Sequence, residues 1–227
     1  MQSPILKAIF DIWYETDIAS ELIPGKVADV CGYVKLKELP LSRVPKDIII
    51  NDNNLKYQPL YELYDESKPY IITVGYKAIG LKIENTYEGW EESFLPEIKD
   101  IYFKIIDQKI LKKILRYGLR YINFFENENI LQTSKISIKI NNNEISDSKV
   151  TFINEKVSNN ITTRVIVDNQ IEIENKKGSI LDIVSFNDTT QEVSIENLTE
   201  VAKQLHTSDK DYFKEVISDE LSRELNL

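Results

Sequence analysis

The sequence is poor in the residue types that most often build metal centres and reactive sites. Only one of its 227 residues is histidine, one is cysteine and one is methionine. A single histidine excludes a two-histidine zinc site and an H-E-x-x-H motif. The lone cysteine, Cys31, excludes an internal disulfide and a thiolate metal cluster. The chain also lacks a G-x-S-x-G elbow and both common glycine-rich phosphate loops. We therefore predict no metal, no cofactor and no catalytic residue.

Long hydrophobic runs are missing as well. No window approaches 18 uncharged apolar residues, so we expect no membrane-spanning helix. Lys7 and Asp11 interrupt the first apolar stretch, which therefore does not resemble a secretory signal. Together with the single cysteine, this predicts a cytoplasmic protein in which Cys31 is a small buried apolar residue.

The charge balance is acidic. The chain has 37 acidic and 28 basic residues and a formal net charge of −9. A protein that wraps nucleic acid usually carries a basic face, so the overall charge argues against that function but leaves a local basic patch open. Hydrophobic residues make up 42% and charged residues 29%, as is usual for a globular domain.

Hydrophobic periodicity predicts an N-terminal α/β half over residues 1–127. A short helix is expected around Ala19–Leu22 and should end at Pro24 and Gly25, and the region 36–54 is expected to be irregular. The i, i+3, i+4 spacing of apolar residues predicts a helix over 94–106. Alternating or continuous apolar runs predict four strands, over residues 3–14, 57–64, 70–83 and 114–125.

In the second half, residues 128–227, apolar residues first recur at every second position, which predicts an antiparallel meander. The chain then ends in two apolar stripes at helical spacing, which predict two helices. Five short strands are expected, over residues 135–140, 149–155, 161–167, 170–174 and 180–186. Ser208 is expected to cap the start of the second helix, and His206 to bind the last carbonyls of the first. The predicted fold is α+β, with antiparallel sheets, helices packed on one face and two halves.

The most unusual segment is basic. Lys104–Arg120 contains six basic residues and one acidic residue, inside an acidic chain. On a strand, Arg116, Gly118 and Arg120 would share one face. Two arginines separated by a glycine could hold a phosphate or carboxylate group, with the glycine allowing close approach.

Two interpretations of this segment stay open. In the first, Arg116 and Arg120 bind phosphate while Tyr117 or Tyr121 stacks on a base, which would make these four residues a ligand-binding site. In the second, the arginines pair with acidic residues of the same chain across a sheet. The position of Arg116 and Arg120 relative to acidic side chains distinguishes the two.

Several short motifs together resemble a sporadically distributed, uncharacterised bacterial family with an R-x-G-L-R-Y-I-N signature. The matching pieces are Pro4-Ile5, Tyr87-x-x-Trp90, Arg116-x-Gly118-Leu119-Arg120-Tyr121-Ile122-Asn123, Leu205-His206, Phe213 and Ile217-Ser218. The patchy occurrence of that family resembles that of bacterial defence or toxin–antitoxin genes, which is an association and not a mechanism.

The sequence thus leaves three hypotheses of function. The first is a non-catalytic binding or adaptor protein with a protein partner, of a bacterial defence or toxin–antitoxin type, since no catalytic motif is present and acidic proteins often meet basic partners. The second is nucleotide or single-stranded nucleic-acid binding through the strand around Arg116 and Arg120. The third is an enzyme that uses carboxylates, arginine and tyrosine.

Overall fold

The computed structural model describes residues 3–189 and 193–224 and confirms the predicted α+β class. Its main feature is a nine-stranded antiparallel sheet in the order β2-β3-β4-β5-β1-β6-β11-β10-β9. The strands of this sheet are β1 (Ile5–Glu15), β2 (Lys35–Glu38), β3 (Tyr61–Tyr64), β4 (Tyr70–Val74), β5 (Ala78–Glu84), β6 (Lys113–Glu126), β9 (Thr151–Ser158), β10 (Ile161–Ile173) and β11 (Lys176–Asp188). A separate small hairpin is formed by β7 (Lys139–Ile140) and β8 (Asn143–Glu144).

The described α-helices are α1 (Ile23–Cys31), α2 (Lys46–Asn51), α3 (Leu95–Asp107), α4 (Ile130–Thr133), α5 (Ile195–Val216) and α6 (Asp219–Glu224). All of these except α2 contribute buried residues to the hydrophobic clusters on one face of the sheet. Contacts link α1 to α3 and α3 to α5, and α5 also lies on β6, β10 and β11. In the part of the chain that the structure describes, no helix combines the length and the apolar character needed to cross a membrane.

Strand β1 lies at the centre of the sheet, between β5 and β6. Every second residue of β1 is buried beneath the helices. These buried residues include Phe10, Ile12 and Tyr14. The intervening residues, such as Asp11 and Trp13, point to the opposite face, which we call the open face. The predicted alternation of this strand is therefore confirmed.

The interior contains two hydrophobic clusters. The larger one joins residues of β1, β4, β5, β6, α1 and α3 with the first part of α5. The smaller one joins β10 and β11 with α4 and the end of α5. Buried polar residues lie between them on β6, β10, β11 and α5, and we call these four residues the polar seam: Asn123, Thr163, Ser185 and Asp209. Since β6 pairs directly with β11, the sheet runs without a break from the first predicted half to the second.

Several predicted boundaries are wrong. Pro24 and Gly25 do not end a helix; Pro24 occupies the first turn of α1, where its missing N–H leaves no hydrogen bond unmade. The predicted strand over 70–83 is two strands, β4 and β5, joined by a tight turn in which the N–H of Gly75 donates to the Ala78 carbonyl. The region 36–54 is not wholly irregular, because it contains α2 and part of β2.

The largest correction concerns the C-terminal helices. Ser208 caps no helix, because α5 continues through it to Val216. Its hydroxyl group is instead hydrogen-bonded to Thr163. His206 consequently lies within a 22-residue helix and not at a helix end. The predicted break between 167 and 170 is likewise a register shift within one long strand, β10.

Candidate functional site

The structure places Arg116 and Arg120 on the open face, each beside an acidic residue of β11. Arg116 donates from Nε and Nη2 to the two carboxylate oxygens of Asp188, at 2.5 and 2.9 Å. Arg120 does the same to Asp182, at 2.8 and 2.5 Å. Such two-point pairs occupy most of the donors that a phosphate group would use.

A third carboxylate lies between the two arginines. Asp11 pairs in register with Gly118 of β6 and Gly80 of β5. A Cβ atom at Gly118 would lie 2.7 Å from Asp11 Oδ1, so this glycine makes room for the Asp11 carboxylate. Loss of hydration raises the pKa of Asp11 to about 6, and the nearby Arg116 and Arg120 guanidinium groups act in the opposite direction.

Aromatic rings enclose the Arg116 guanidinium. Its carbon atom lies 3.8 Å from the centre of the Trp13 ring and 4.2 Å from that of Phe186. Tyr57 stacks on Trp13 at 3.7 Å, nearly parallel. These contacts hold the side chain of Arg116 in place from several directions.

The four predicted site residues are therefore not brought together. Tyr117 and Tyr121 point to the helix-covered face, where they are 0% and 7% exposed, whereas Arg116 and Arg120 lie on the open face. The two arginines and the three carboxylates around them carry a formal charge of −1, which disfavours an anionic ligand. The arrangement matches the ion-pair interpretation of the basic segment.

Tyr121 instead reaches a cavity of about 860 Å³ on the helix-covered side. Five segments form its walls: the start of β1, the segment 87–92, strand β6, strand β11 and helix α5. The residues that carry its chemistry are Tyr87, Trp90, Tyr121, Asn123, His206 and Asp209. Eight of the sixteen residues named for the family resemblance line this cavity.

Trp90 and His206 form the centre of this site. Their rings stack at 4.3 Å and an angle of 7°. Trp90 is only 6% exposed, so it supports the imidazole more than it offers a surface to a ligand. Gly89, with φ of 128°, starts the five-residue π-helical turn Trp90–Phe94 that positions the indole. Burial lowers the pKa of His206 to about 4, with a smaller effect from Lys210, so the ring is neutral at physiological pH.

A chain of hydrogen bonds orients the imidazole. His206 Nδ1 lies 3.1 Å from the hydroxyl oxygen of Tyr121, which in turn lies 3.3 Å from that of Tyr87. Burial raises the pKa of Tyr87 to about 12 and that of Tyr121 well above its ordinary value, so both hydroxyl groups stay protonated. Because Nδ1 is engaged, Nε2 is the ring nitrogen left for another partner.

Asp209 is an unusual member of the polar seam. It is 2% exposed, and neither of its carboxyl oxygens has a hydrogen-bond partner among the described residues. Burial raises its pKa well above the ordinary value; the Ser185 hydroxyl acts in the opposite direction, but its geometry falls short of a hydrogen bond. Most buried polar groups in proteins are paired, so this orphan acid is a marked exception.

A second groove, of about 720 Å³, lies between α5 and the β9–β10 end of the sheet. Its lining is mainly exposed charged and amide side chains, and two of these, Lys156 and Glu215, already pair with each other. It contains no stacked rings, so the cavity at His206 is the better candidate site.

Sequence reasoning missed this cavity for a clear reason. The pattern assigned Tyr121 to the basic strand with Arg116 and Arg120 and assigned His206 to a helix end, so neither was connected with Trp90. The useful signal was their joint presence in the family-like motifs. In the described parts of the chain, 3–189 and 193–224, no group of three or more His, Cys, Asp or Glu residues is arranged to hold a metal ion. Comparison with protein-family models, curated proteins and solved structures finds no significant match.

Proposed function

We propose that this chain is a non-catalytic binding protein whose ligand site is the cavity around His206. The observation that carries this proposal is the convergence of uncharged hydrogen-bonding side chains from separate segments on one cavity. Its volume lies within the usual range for small-molecule sites, roughly 300–1,000 Å³.

The protonation states favour an uncharged group in the interior. At pH 7 His206 is neutral and Tyr87 and Tyr121 are protonated, and burial raises the pKa of Asp209 well above its ordinary value. An ion placed among them would lose its water without gaining a counter-charge, which is strongly unfavourable. A planar group with hydrogen-bonding atoms suits the aromatic walls and the free Nε2 of His206.

Nucleotide or nucleic-acid binding through Arg116 and Arg120 is less well supported. A phosphate group would have to displace Asp182 and Asp188 and would meet the Asp11 carboxylate. For the enzyme hypothesis we find no arrangement that favours one reaction. A cytoplasmic location, a protein partner and a role in bacterial defence remain part of the proposal on sequence grounds alone.

The test is binding of neutral planar probes, namely 4-ethylphenol, indole and uracil, followed by saturation-transfer NMR. We expect at least one probe to bind the wild type and to lose most of its signal with His206→Ala and with Tyr121→Phe. Tyr64→Phe is the matched control, because Tyr64 lies on β3, far along the sheet order from the cavity. Equal signals in all variants, or no binding by any probe, would contradict the proposal.

A further inference from the structure

Charged side chains of both signs surround the uncharged interior of the cavity. Glu91 and Glu92, in the turn after Gly89, form an acidic wall. Lys210 and Lys214, on α5, form a basic wall; Asp211 also lines the cavity there and offsets one positive charge, which leaves this wall with a formal charge of +1. None of these residues has an ion-pair partner within residues 3–189 and 193–224.

Each wall places like charges side by side. Lys210 and Lys214 are four residues apart on one helix, a spacing at which like charges repel. Glu91 and Glu92 are adjacent, and a Cβ atom at Gly89 would lie 2.7 Å from Glu92 Oε2, so this glycine gives the carboxylate space beside the cavity. A bound molecule with a negative group beside Lys210 and Lys214 and a positive group beside Glu91 and Glu92 would relieve the repulsion in both walls.

The buried acid points to a bound molecule independently of these charges. Asp209 lines the same cavity next to Lys210, is almost fully buried and lacks a hydrogen-bond partner in the described chain. A buried polar group without a hydrogen-bond partner is expected where a bound molecule, and not the protein, supplies that partner.

We propose that the ligand is a zwitterion of the α-amino-acid class with an uncharged aromatic side chain. Its carboxylate group would lie against Lys210 and Lys214, its ammonium group against Glu91 and Glu92, and its side chain in the interior. A ligand with one charge would leave the opposite wall uncompensated. This inference rests on the proposed function, because it assumes that the cavity is the binding site.

The test uses four molecules that share a phenol ring and differ in charge: L-tyrosine, tyramine, 3-(4-hydroxyphenyl)propionate and 4-ethylphenol. Isothermal titration calorimetry at pH 7 and low salt gives the affinities. We expect tyrosine to bind at least about tenfold more tightly than the other three, since it alone pairs with both walls.

Variants separate the two walls. Lys210→Gln with Lys214→Gln should weaken tyrosine and the propionate and leave tyramine unaffected, whereas Glu91→Gln with Glu92→Gln should weaken tyrosine and tyramine only. Lys203→Gln, on α5 but lining the other groove, is the matched control. Equal affinities for all four molecules would overturn the zwitterion inference and leave the binding site standing, whereas no binding by any would overturn both.

Discussion

Replacing Asp11 by asparagine should remove a loss of folding stability that occurs as the pH rises from about 4 to 6. The Asp11 carboxyl group has an ordinary pKa of 3.8, and desolvation raises it to about 6 in the folded protein. An acid whose pKa is higher in the folded state stabilises that state while it is protonated, and the contribution is lost as the pH rises. Asp11 should therefore contribute a loss of stability between about pH 4 and pH 6 that Asp11→Asn lacks.

The size of the change in unfolding free energy follows from the pKa shift of Asp11. One pKa unit corresponds to about 1.4 kcal/mol, so a rise from 3.8 to about 6 gives no more than about 3 kcal/mol. The Arg116 and Arg120 guanidinium groups already oppose the shift and are included in it. His206 titrates in the same range with the opposite sign, because its pKa falls to about 4 and stability is lost as the pH drops. The difference between wild type and Asp11→Asn isolates the contribution of Asp11.

Urea unfolding at half-unit steps from pH 4 to pH 8 would measure that difference. We expect the stability of Asp11→Asn relative to wild type to increase by about 2.5 kcal/mol over this range and to level off above pH 7. Asp29→Asn, on the exposed side of α1, serves as the control. A relative stability that stays constant with pH would refute the argument that Asp11 is desolvated between the two arginines.

Three further predictions concern folding stability. Gly178→Ala would place a Cβ atom 2.2 Å from the backbone oxygen of Phe125, so we expect the free energy of unfolding, measured with guanidinium, to fall by about 3 kcal/mol. Gly25→Ala, where nothing lies within 4 Å of the added Cβ atom, should instead stabilise α1 by about 0.5–1 kcal/mol. Asp209→Asn should gain stability relative to wild type as the pH rises above 4, because the buried acid resists ionisation; a gain that falls with pH in the same unfolding assay would contradict this.

The spacing of apolar residues along the sequence predicted much of this fold. The alternation in β1 and β6 and the apolar spacing of α3 gave the right element types, because each is buried on one face only. The same alternation correctly placed Arg116, Gly118 and Arg120 together. It could not show that Gly118 accommodates Asp11, since those residues are brought together only by the pairing of β1 with β6.

Tertiary context explains the errors. Ser208 has the sequence features of a helix cap, but its hydroxyl group finds a partner in Thr163, and α5 continues because it lies across both hydrophobic clusters. The cavity was beyond sequence reasoning for the same reason. Trp90 and His206 are far apart in sequence and stack only because the turn after Gly89 lies beside α5.

The most direct test of the account uses the two tryptophans, because each reports on one candidate site. Trp13 stacks against Arg116 on the open face, and Trp90 stacks against His206 in the cavity. A ¹H–¹⁵N correlation spectrum of labelled protein, titrated with 4-ethylphenol and then with L-tyrosine, would show both indole signals, which Trp13→Phe assigns. We predict that the Trp90 signal shifts with ligand while the Trp13 signal stays in place. A shift of Trp13 alone would locate the ligand beside Arg116 and contradict the assignment of function to the cavity.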